Sequence, residues 1–158
     1  MKRLLVATTV LMGGVAAQNA WAGNQTVTLS VGASVPTVCA VVTTTALGFG
    51  VYSGVQATAQ GTIVLNCTAG GSVTVSLNNG ANASAGQNVM IGTANAAHTL
   101  NYSLYQDGGY STAWIPANPE VVTGTGAQQT LQVYGKMLSG QTLTPDSYTD
   151  TVTVSVTY

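Results

Sequence analysis

Few side chains of this chain could carry acid, base or metal chemistry, and they are widely spaced. His98 is the only histidine, and the acid nearest to it in the sequence is Asp107. Catalysis by such a pair also needs a positioned nucleophile and an oxyanion site, and no motif provides either. Asp146 and Asp150 are separated by only three residues, but a calcium loop carries more carboxylates close together. We therefore expect a protein that is not an enzyme and that holds neither a metal nor a cofactor.

Aromatic residues offer a second kind of chemistry, the stacking of rings on sugars. Tyr102, Tyr105, Tyr110 and Trp114 are close enough in sequence to suggest such a platform. In a β-sandwich, however, rings of this kind more often fill the core and cover sheet edges, so we expect packing. For Tyr148 we expect a packing corner, with its hydroxyl bonded to the backbone.

The first 22 residues have the features of a secretion signal. Lys2 and Arg3 precede an apolar stretch, and Ala20-Trp21-Ala22 gives the small-x-small pattern of a cleavage site. The apolar stretch is short for a bilayer-spanning helix. We expect residues 1–22 to be a signal peptide and the mature chain to begin at Gly23, without stable membrane insertion.

The mature chain carries very little charge. Loss of Lys2 and Arg3 leaves Lys136 as the one basic residue against four acids, so the formal net charge changes from −1 to −3. A surface with a single cation has no electrostatic attraction for nucleic acid or anionic lipid. Those partners are therefore not expected.

Two cysteines, Cys39 and Cys67, remain after export. A metal site would need histidine, aspartate or further cysteines nearby, and none is close. In an exported protein two cysteines favour one disulfide. By the chain-entropy model this bridge should stabilise the fold by about 3–4 kcal/mol.

Alternating apolar and polar residues predict strands at both ends of the mature chain. Near the start, Val27, Leu29, Val31 and Ala33 share one face. At the end, alternation over Thr149–Tyr158 predicts a half-buried strand with one apolar face. That inward face consists of Val152, Val154, Val156 and Tyr158.

The chain between these ends predicts one all-β domain with no helix. Turn residues recur about every ten positions, which is typical of an antiparallel sandwich. We expect strands over 25–33, 37–43, 47–52, 60–67, 72–78, 87–91, 99–106, 129–137 and 148–157. A long connection over 107–129 could hold a short edge strand.

Several segments occur in a fixed order along the mature chain. They are Cys39, Leu47-Gly48-Phe49-Gly50-Val51-Tyr52, Val64-Leu65-Asn66-Cys67, Leu100-Asn101-Tyr102-Ser103-Leu104-Tyr105-Gln106-Asp107, Gly135 and Tyr148-Thr149-Asp150-Thr151-Val152-Thr153-Val154. Their order and spacing resemble the spore coat protein U domain family, which includes subunits of archaic chaperone–usher pili.

The resemblance implies an incomplete immunoglobulin-like sandwich that is completed by donor-strand exchange. Residues 23–36 would be the donor arm, with Val27, Leu29, Val31 and Ala33 as inserted side chains, and residues 37–158 the pilin domain. The strand that carries Val152, Val154, Val156 and Tyr158 would form the edge of the acceptor groove. A periplasmic chaperone fills that groove in such families, until an outer-membrane usher replaces it with the arm of the next subunit.

The resemblance also implies a location and a role. The partners would be identical or related pilin subunits, the chaperone and the usher, and the protein would pass through the periplasm to a cell-surface fimbrium that supports adhesion and biofilm formation. Two alternatives stay open: a secreted coat protein of a spore or cell surface, and a secreted binding module whose arm completes its own fold.

Overall fold

The computed structural model describes residues 23–142 and 144–158. The expected signal peptide, residues 1–22, lies outside the described residues. The chain divides into two units, and the described part of the first is the segment 23–34. The second unit, Val35–Tyr158, contains all the strands that the structure describes, and we call it the body.

The described residues form strands and no helix. The strands are β1 (Cys39–Thr45), β2 (Ala57–Cys67), β3 (Ser72–Leu77), β4 (Asn88–Gly92), β5 (Thr99–Tyr105), β6 (Glu120–Thr123), β7 (Gln128–Met137), β8 (Tyr148–Thr149) and β9 (Val154–Thr157). Seven of the nine predicted strands contain or overlap one of these elements.

The strands make two antiparallel sheets. One has the order β1-β2-β7-β5-β4-β8, and the other has the order β6-β3-β9. The β2–β7 ladder is the longest, running from Ala57 opposite Met137 to Asn66 opposite Gln128. The predicted all-β antiparallel class is confirmed.

The core draws on alternate residues of both sheets. Ile63 and Leu65 of β2 and Val73 and Val75 of β3 are buried, while the residues between them are more exposed. Trp114, from the long connection, is also fully buried, and its indole N–H donates to the Val75 carbonyl oxygen over 3.1 Å. The period of two therefore identifies the core strands, but it gave no sign that the loop tryptophan belongs to the same core.

The predicted strand over residues 47–52 is wrong. β1 ends at Thr45, and the next residues alternate in exposure without joining a sheet. Two glycines of the sheet leave the space that this segment occupies. A Cβ on Gly135 would lie 2.7 Å from Leu47 Cδ2, and one on Gly61 would lie 2.9 Å from the Thr45 carbonyl oxygen. The alternation in this segment thus reflects packing against Gly61 and Gly135 of the sheet rather than strand pairing.

The predicted final strand, 148–157, is two strands in different sheets. β8 pairs with β4, whereas β9 pairs with β3. The chain changes sheets over residues 150–153, so a single continuous run in the sequence is interrupted in the fold. In the connection over 107–129, β6 is the short edge strand, and it pairs with β3.

The predicted strand over residues 25–33 is absent from the described segment 23–34. A strand needs a partner for its main-chain groups, and none of these residues has one among residues 23–142 and 144–158. The alternation of the sequence is present, but the ladder is not.

Candidate functional site

The two sheets leave a pair of open edges on the same side of the body. β1 pairs only with β2, and β9 pairs only with β3, among the residues that the structure describes. Between these edges lies a groove lined by Thr44 and Thr45 on one side and by Val152 and Val154 on the other. An open sheet edge of this kind is a template for pairing with another strand.

The hydrogen bonds of residues 151–153 show which main-chain groups face this groove. The carbonyl oxygens of Thr151 and Thr153 accept from Ala81 N and Asn78 N, on the β3 side. Successive residues of an extended strand direct their main-chain groups to opposite sides. The N–H and C=O groups of Val152 and the next even-numbered residues, 154 and 156, therefore point away from β3 and towards the groove.

The groove has an apolar floor. Its volume is about 420 Å³, and the buried side chains that line it include Ile63, Leu77, Leu104 and Val133. These residues belong to the hydrophobic core. The groove is thus an opening into the core itself.

A second cavity extends the groove towards the start of β8. It has a volume of about 640 Å³ and shares Leu47, Phe49, Met90 and Tyr148 with the first. Its wall is the irregular segment 46–53, whose main-chain groups make no backbone hydrogen bond within the described residues. The two cavities form one trough with unpaired backbone along both walls.

The structure places two of the four predicted edge-strand residues on this trough. Val152 and Val154 line it, and they and Val156 pack against the core in half-buried positions. Tyr158 departs from the predicted pattern, because it follows the end of β9 and is more than half exposed. The inward-facing series therefore stops at Val156.

Asp150 holds the wall of the trough at the point where the chain changes sheets. Its carboxylate accepts from the Tyr102 hydroxyl (2.7 Å) and from the backbone N–H groups of Asn82 (3.1 Å) and Thr151 (2.8 Å). Burial, together with the hydrogen bond to this carboxylate, raises the pKa of Tyr102. Gly80 leaves the space for this carboxylate, since a Cβ there would lie 1.9 Å from Asp150 Oδ2.

Sequence reasoning missed this network, although it contained one signal. The Asn78-Asn79-Gly80 turn was apparent, and Gly80 has a φ of +88° as such a turn requires. What the sequence did not show is that the turn packs against Asp150, 70 positions later in the chain.

His98 pairs with Asp146 and not with Asp107. The distance from His98 Nδ1 to Asp146 Oδ2 is 3.1 Å. Asp146 also accepts from the backbone N–H groups of Ala94 (3.0 Å), Asn95 (3.1 Å) and Ser147 (2.7 Å). The bond from Ala94 is the largest cause of a pKa lowered to about 2 for Asp146. This carboxylate therefore closes a loop, and it is not poised to transfer a proton.

Asp107 closes a separate turn. It accepts from the backbone N–H groups of Gly109 (2.9 Å) and Thr112 (2.6 Å), and the bond from Thr112 is the main cause of its lowered pKa. Within residues 23–142 and 144–158, no cluster of three metal-binding side chains occurs. Asp107 and Asp146 thus stabilise loops.

The predicted disulfide is confirmed. Cys39 and Cys67 are bonded to each other, and they are opposite one another in the β1–β2 ladder. Both cysteines belong to the buried core. The bridge fixes the start of β1, the strand that forms one wall of the groove.

The expected packing of the aromatic residues is also confirmed. Tyr102 and Trp114 are buried in the core, and Tyr105 contacts Tyr110 edge to face with 5.5 Å between ring centroids. The Tyr148 hydroxyl donates to the Thr144 carbonyl oxygen over 2.7 Å, as expected for a packing corner.

The described segment 23–34 presents its apolar side chains to solvent. Val27, Leu29 and Val31 are between 87% and 94% exposed, and Ala33 is exposed as well. Exposure of large aliphatic side chains to water is unfavourable in free energy, and this cost is removed only when a partner covers them. This unit therefore has the composition of a strand and lacks the contacts of one.

A family comparison covers most of the body and of the segment 23–34. The model of the Spore Coat Protein U domain matches residues 25–155. The chain belongs to this family. The match includes both cysteines, the groove walls and the alternating residues of the segment 23–34. Family membership makes this a structural protein rather than an enzyme.

Two solved structures that are similar to this chain contain subunits of fimbrial systems. One is a chain of the crystal structure of the CsuC-CsuE chaperone-tip adhesion subunit pre-assembly complex from archaic chaperone-usher Csu pili of Acinetobacter baumannii. It is 22% identical with a TM-score of 0.58, and the match covers 78% of this chain and 40% of that chain. The likeness shows the immunoglobulin-like sandwich.

A second solved structure is a chaperone-tip adhesin complex described as vital for synergistic activation of CFA/I fimbriae biogenesis. It is 12% identical with a TM-score of 0.46, and the match covers 77% of this chain and 41% of that chain. This chain thus spans well under half the length of either structure. No curated protein matches it. None of the described residues belongs to a helix long and apolar enough to cross a membrane.

Proposed function

We propose that this protein is a structural subunit of a chaperone–usher surface pilus, which polymerises by donating its N-terminal arm to the groove of a neighbouring subunit. One observation carries the proposal. The body has a trough that opens into its core and has unpaired backbone along its walls, while the segment 23–34 exposes an alternating apolar face. The trough lacks a strand that would cover its core and pair with its backbone, and the segment 23–34 lacks an apolar surface on which to pack.

The dimensions of arm and trough agree. Residues 25–33, as a strand, would span about 30 Å at the usual rise per residue. The same rise gives about 35 Å for β2, an 11-residue strand of the sheet that β1 borders. Val27, Leu29 and Val31 would each contribute about 1.5–3 kcal/mol on full burial, before ordering costs. Ala33 would contribute less.

The main chain supplies the register in this proposal. The donated strand would pair with the groove-facing N–H and C=O groups of Val152, Val154 and Val156. Recognition by addition of a strand derives its affinity from such main-chain bonds and its specificity from pockets for alternate side chains, and chaperone–pilin complementation is an established example. Tyr158 has little part in this register, because it lies beyond β9.

The proposed organisation has three parts. Residues 1–22 would be removed on export, residues 23–36 would form the donor arm, and residues 37–158 would form the pilin domain. A periplasmic chaperone would cover the trough before assembly, and an outer-membrane usher would direct the exchange. The fibre would lie on the cell surface and support adhesion and biofilm formation.

A peptide exchange experiment tests the proposal. A peptide of residues 23–36 is added to the full subunit held by its chaperone, and release of the chaperone is followed. We expect the peptide to displace the chaperone. The same peptide with Leu29→Asp should fail, because it places a charge in the apolar trough, whereas the control with Thr28→Asp should still work, because residue 28 is on the other face. Equal activity of the two variant peptides would reject the donor assignment.

A further inference from the structure

The strand register defines two ends of the body. At one end, which we call the arm-side end, the Val38 carbonyl oxygen accepts from Thr68 N over 2.9 Å, next to the disulfide. At the other, which we call the far end, Gly140 N donates to the Gly54 carbonyl oxygen over 2.9 Å. β2 connects the two ends, since it begins at Ala57 and finishes at Cys67.

The far end carries exposed aliphatic side chains close together. Val51 is 95% exposed, Val55 is 64% exposed and Leu138 is 62% exposed. The Tyr52 hydroxyl donates to the Leu138 carbonyl oxygen, so the segments that bear these residues are in direct contact. Neither 51–55 nor 137–141 contains a charged residue. Single exposed aliphatic residues are ordinary, but an uncharged cluster at one end marks a contact surface.

The arm-side end has an apolar surface of its own. Val35 and Val38 are both more than half exposed, and they lie at the junction where the proposed donor arm, residues 23–36, joins the pilin domain. From Ala33 to Cys39 the chain can span at most about 20 Å. If the arm is inserted into a neighbour, the body that follows must therefore stand against the end of the neighbour at which the arm emerges.

The direction of the arm relative to β9 decides at which end of the neighbour the arm emerges. β8 begins near the far end, where Tyr148 and Val51 line one cavity, and β9 finishes near the arm-side end, where Thr157 lies opposite Thr74. An arm antiparallel to β9 would emerge at the far end, beside the exposed valines. A parallel arm would emerge at the arm-side end, where the neighbour's own arm departs, and would leave the far-end cluster uncovered in every subunit.

We propose that the far-end cluster of Val51, Val55 and Leu138 packs against Val35 and Val38 of the next copy of this chain, at the end of the body where an arm antiparallel to β9 emerges. This inference rests on the proposed pilus function and adds a second contact between subunits, beyond the pairing of the arm with β9. Because the two surfaces differ, the contact is heterologous, and its repetition gives an open filament with one direction. Each subunit then contacts one neighbour through its far-end cluster and the other neighbour through Val35 and Val38.

Cross-linking within assembled fibres tests this contact. Fibres are assembled with the chaperone and usher from a chain that carries Val35→Cys together with Val51→Cys or Val55→Cys. They are then oxidised, boiled in detergent without reductant and separated on a gel. We expect at least one pair to give a ladder of covalent multimers that reductant collapses to the monomer. A comparison chain with Val35→Cys and Tyr158→Cys should give no ladder, since Tyr158 lies at the arm-side end.

The outcomes separate this inference from the function on which it rests. Fibres that assemble normally but give no ladder with either far-end cysteine overturn the end-to-end contact alone. A ladder from the Val35 and Tyr158 pair overturns the antiparallel sense. Failure of the unsubstituted chain to form fibres with its chaperone and usher overturns the proposed function, and the inference with it.

Discussion

At the scale of single residues, two acids and a glycine shape the body more than any reactive group does. Asp150 joins Tyr102 and the Asn82 backbone to the wall of the trough, and Asp146 closes the loop that contains His98. Gly80 makes room for the first of these carboxylates. The scarce charges of this chain thus act as loop and strand anchors.

Replacement of Gly80 by alanine should destabilise the body strongly. The new Cβ would lie 1.9 Å from Asp150 Oδ2 at a φ of +88°. Gly86→Ala is the matched control, because its φ is +78° but nothing lies within 4 Å of the added Cβ. We expect Gly86→Ala to cost about 1–2 kcal/mol, the usual penalty for the left-handed conformation, and Gly80→Ala to cost clearly more.

Urea unfolding of the subunit filled with the peptide of residues 23–36 measures both variants. Equal losses would show that Asp150 does not depend on the space at Gly80.

The Asp146 loop should lose stability in acid. Because the folded pKa is lowered to about 2 from an ordinary value of 3.8, the carboxylate favours folding above the ordinary value. This contribution falls as the pH drops from about 4 to about 2 and is absent at lower pH. Asp146→Asn should therefore be less stable than the parent at neutral pH, and the difference should close over that window. Urea midpoints measured from pH 7 to pH 2 for the peptide-filled subunit test this, and a gap independent of pH would contradict it.

At the scale of elements, the alternation in the sequence identified apolar faces better than it identified pairing. β2, β3 and β5 were predictable because they are buried strands with two neighbours each. The segment 47–52 has the same alternation but packs on Gly61 and Gly135, and the segment 25–33 has it without any partner. Pairing depends on residues distant in the chain, so a local pattern cannot reveal it.

The acceptor wall shows the same limit within one run of residues. Val152, Val154 and Val156 were correctly placed on one face, but the break at Asp150 depends on Asn82 and Tyr102, which are far away in sequence. The disulfide was predictable from the cysteine count and the expected export signal. Packing of Trp114 was expected from its residue type, but its contact with the Val75 carbonyl oxygen was not, since nothing near it in the sequence alternates.

The disulfide should stabilise the wall that β1 forms. Conversion of Cys39 and Cys67 together to serine removes a bridge between residues 28 positions apart, which should cost about 3–4 kcal/mol by the chain-entropy model. The double variant avoids a free thiol. We expect a lower level of chaperone-bound subunit under oxidising conditions and a lower urea midpoint. An unchanged midpoint for the double variant would show that the bridge contributes nothing to stability.

At the scale of the whole molecule, the body exposes both its core and its sheet edges along one trough. A folded domain normally pairs its buried main-chain groups and covers its apolar core. A single explanation covers the trough, the exposed segment 23–34 and the apolar ends: each is covered by a neighbouring subunit when subunits assemble in a row. A soluble binding module would need none of the three.

Hydrogen exchange at the groove-facing amides of Val152, Val154 and Val156 tests this most directly. The Thr153 amide is an internal control, because it already donates to Asn78 Oδ1 over 2.8 Å within one subunit. We expect the three valine amides to exchange rapidly in a solitary subunit and to become strongly protected in fibres, with a smaller change at Thr153. Equal protection of these amides in the solitary subunit and in the fibre would show that the chain completes its own fold.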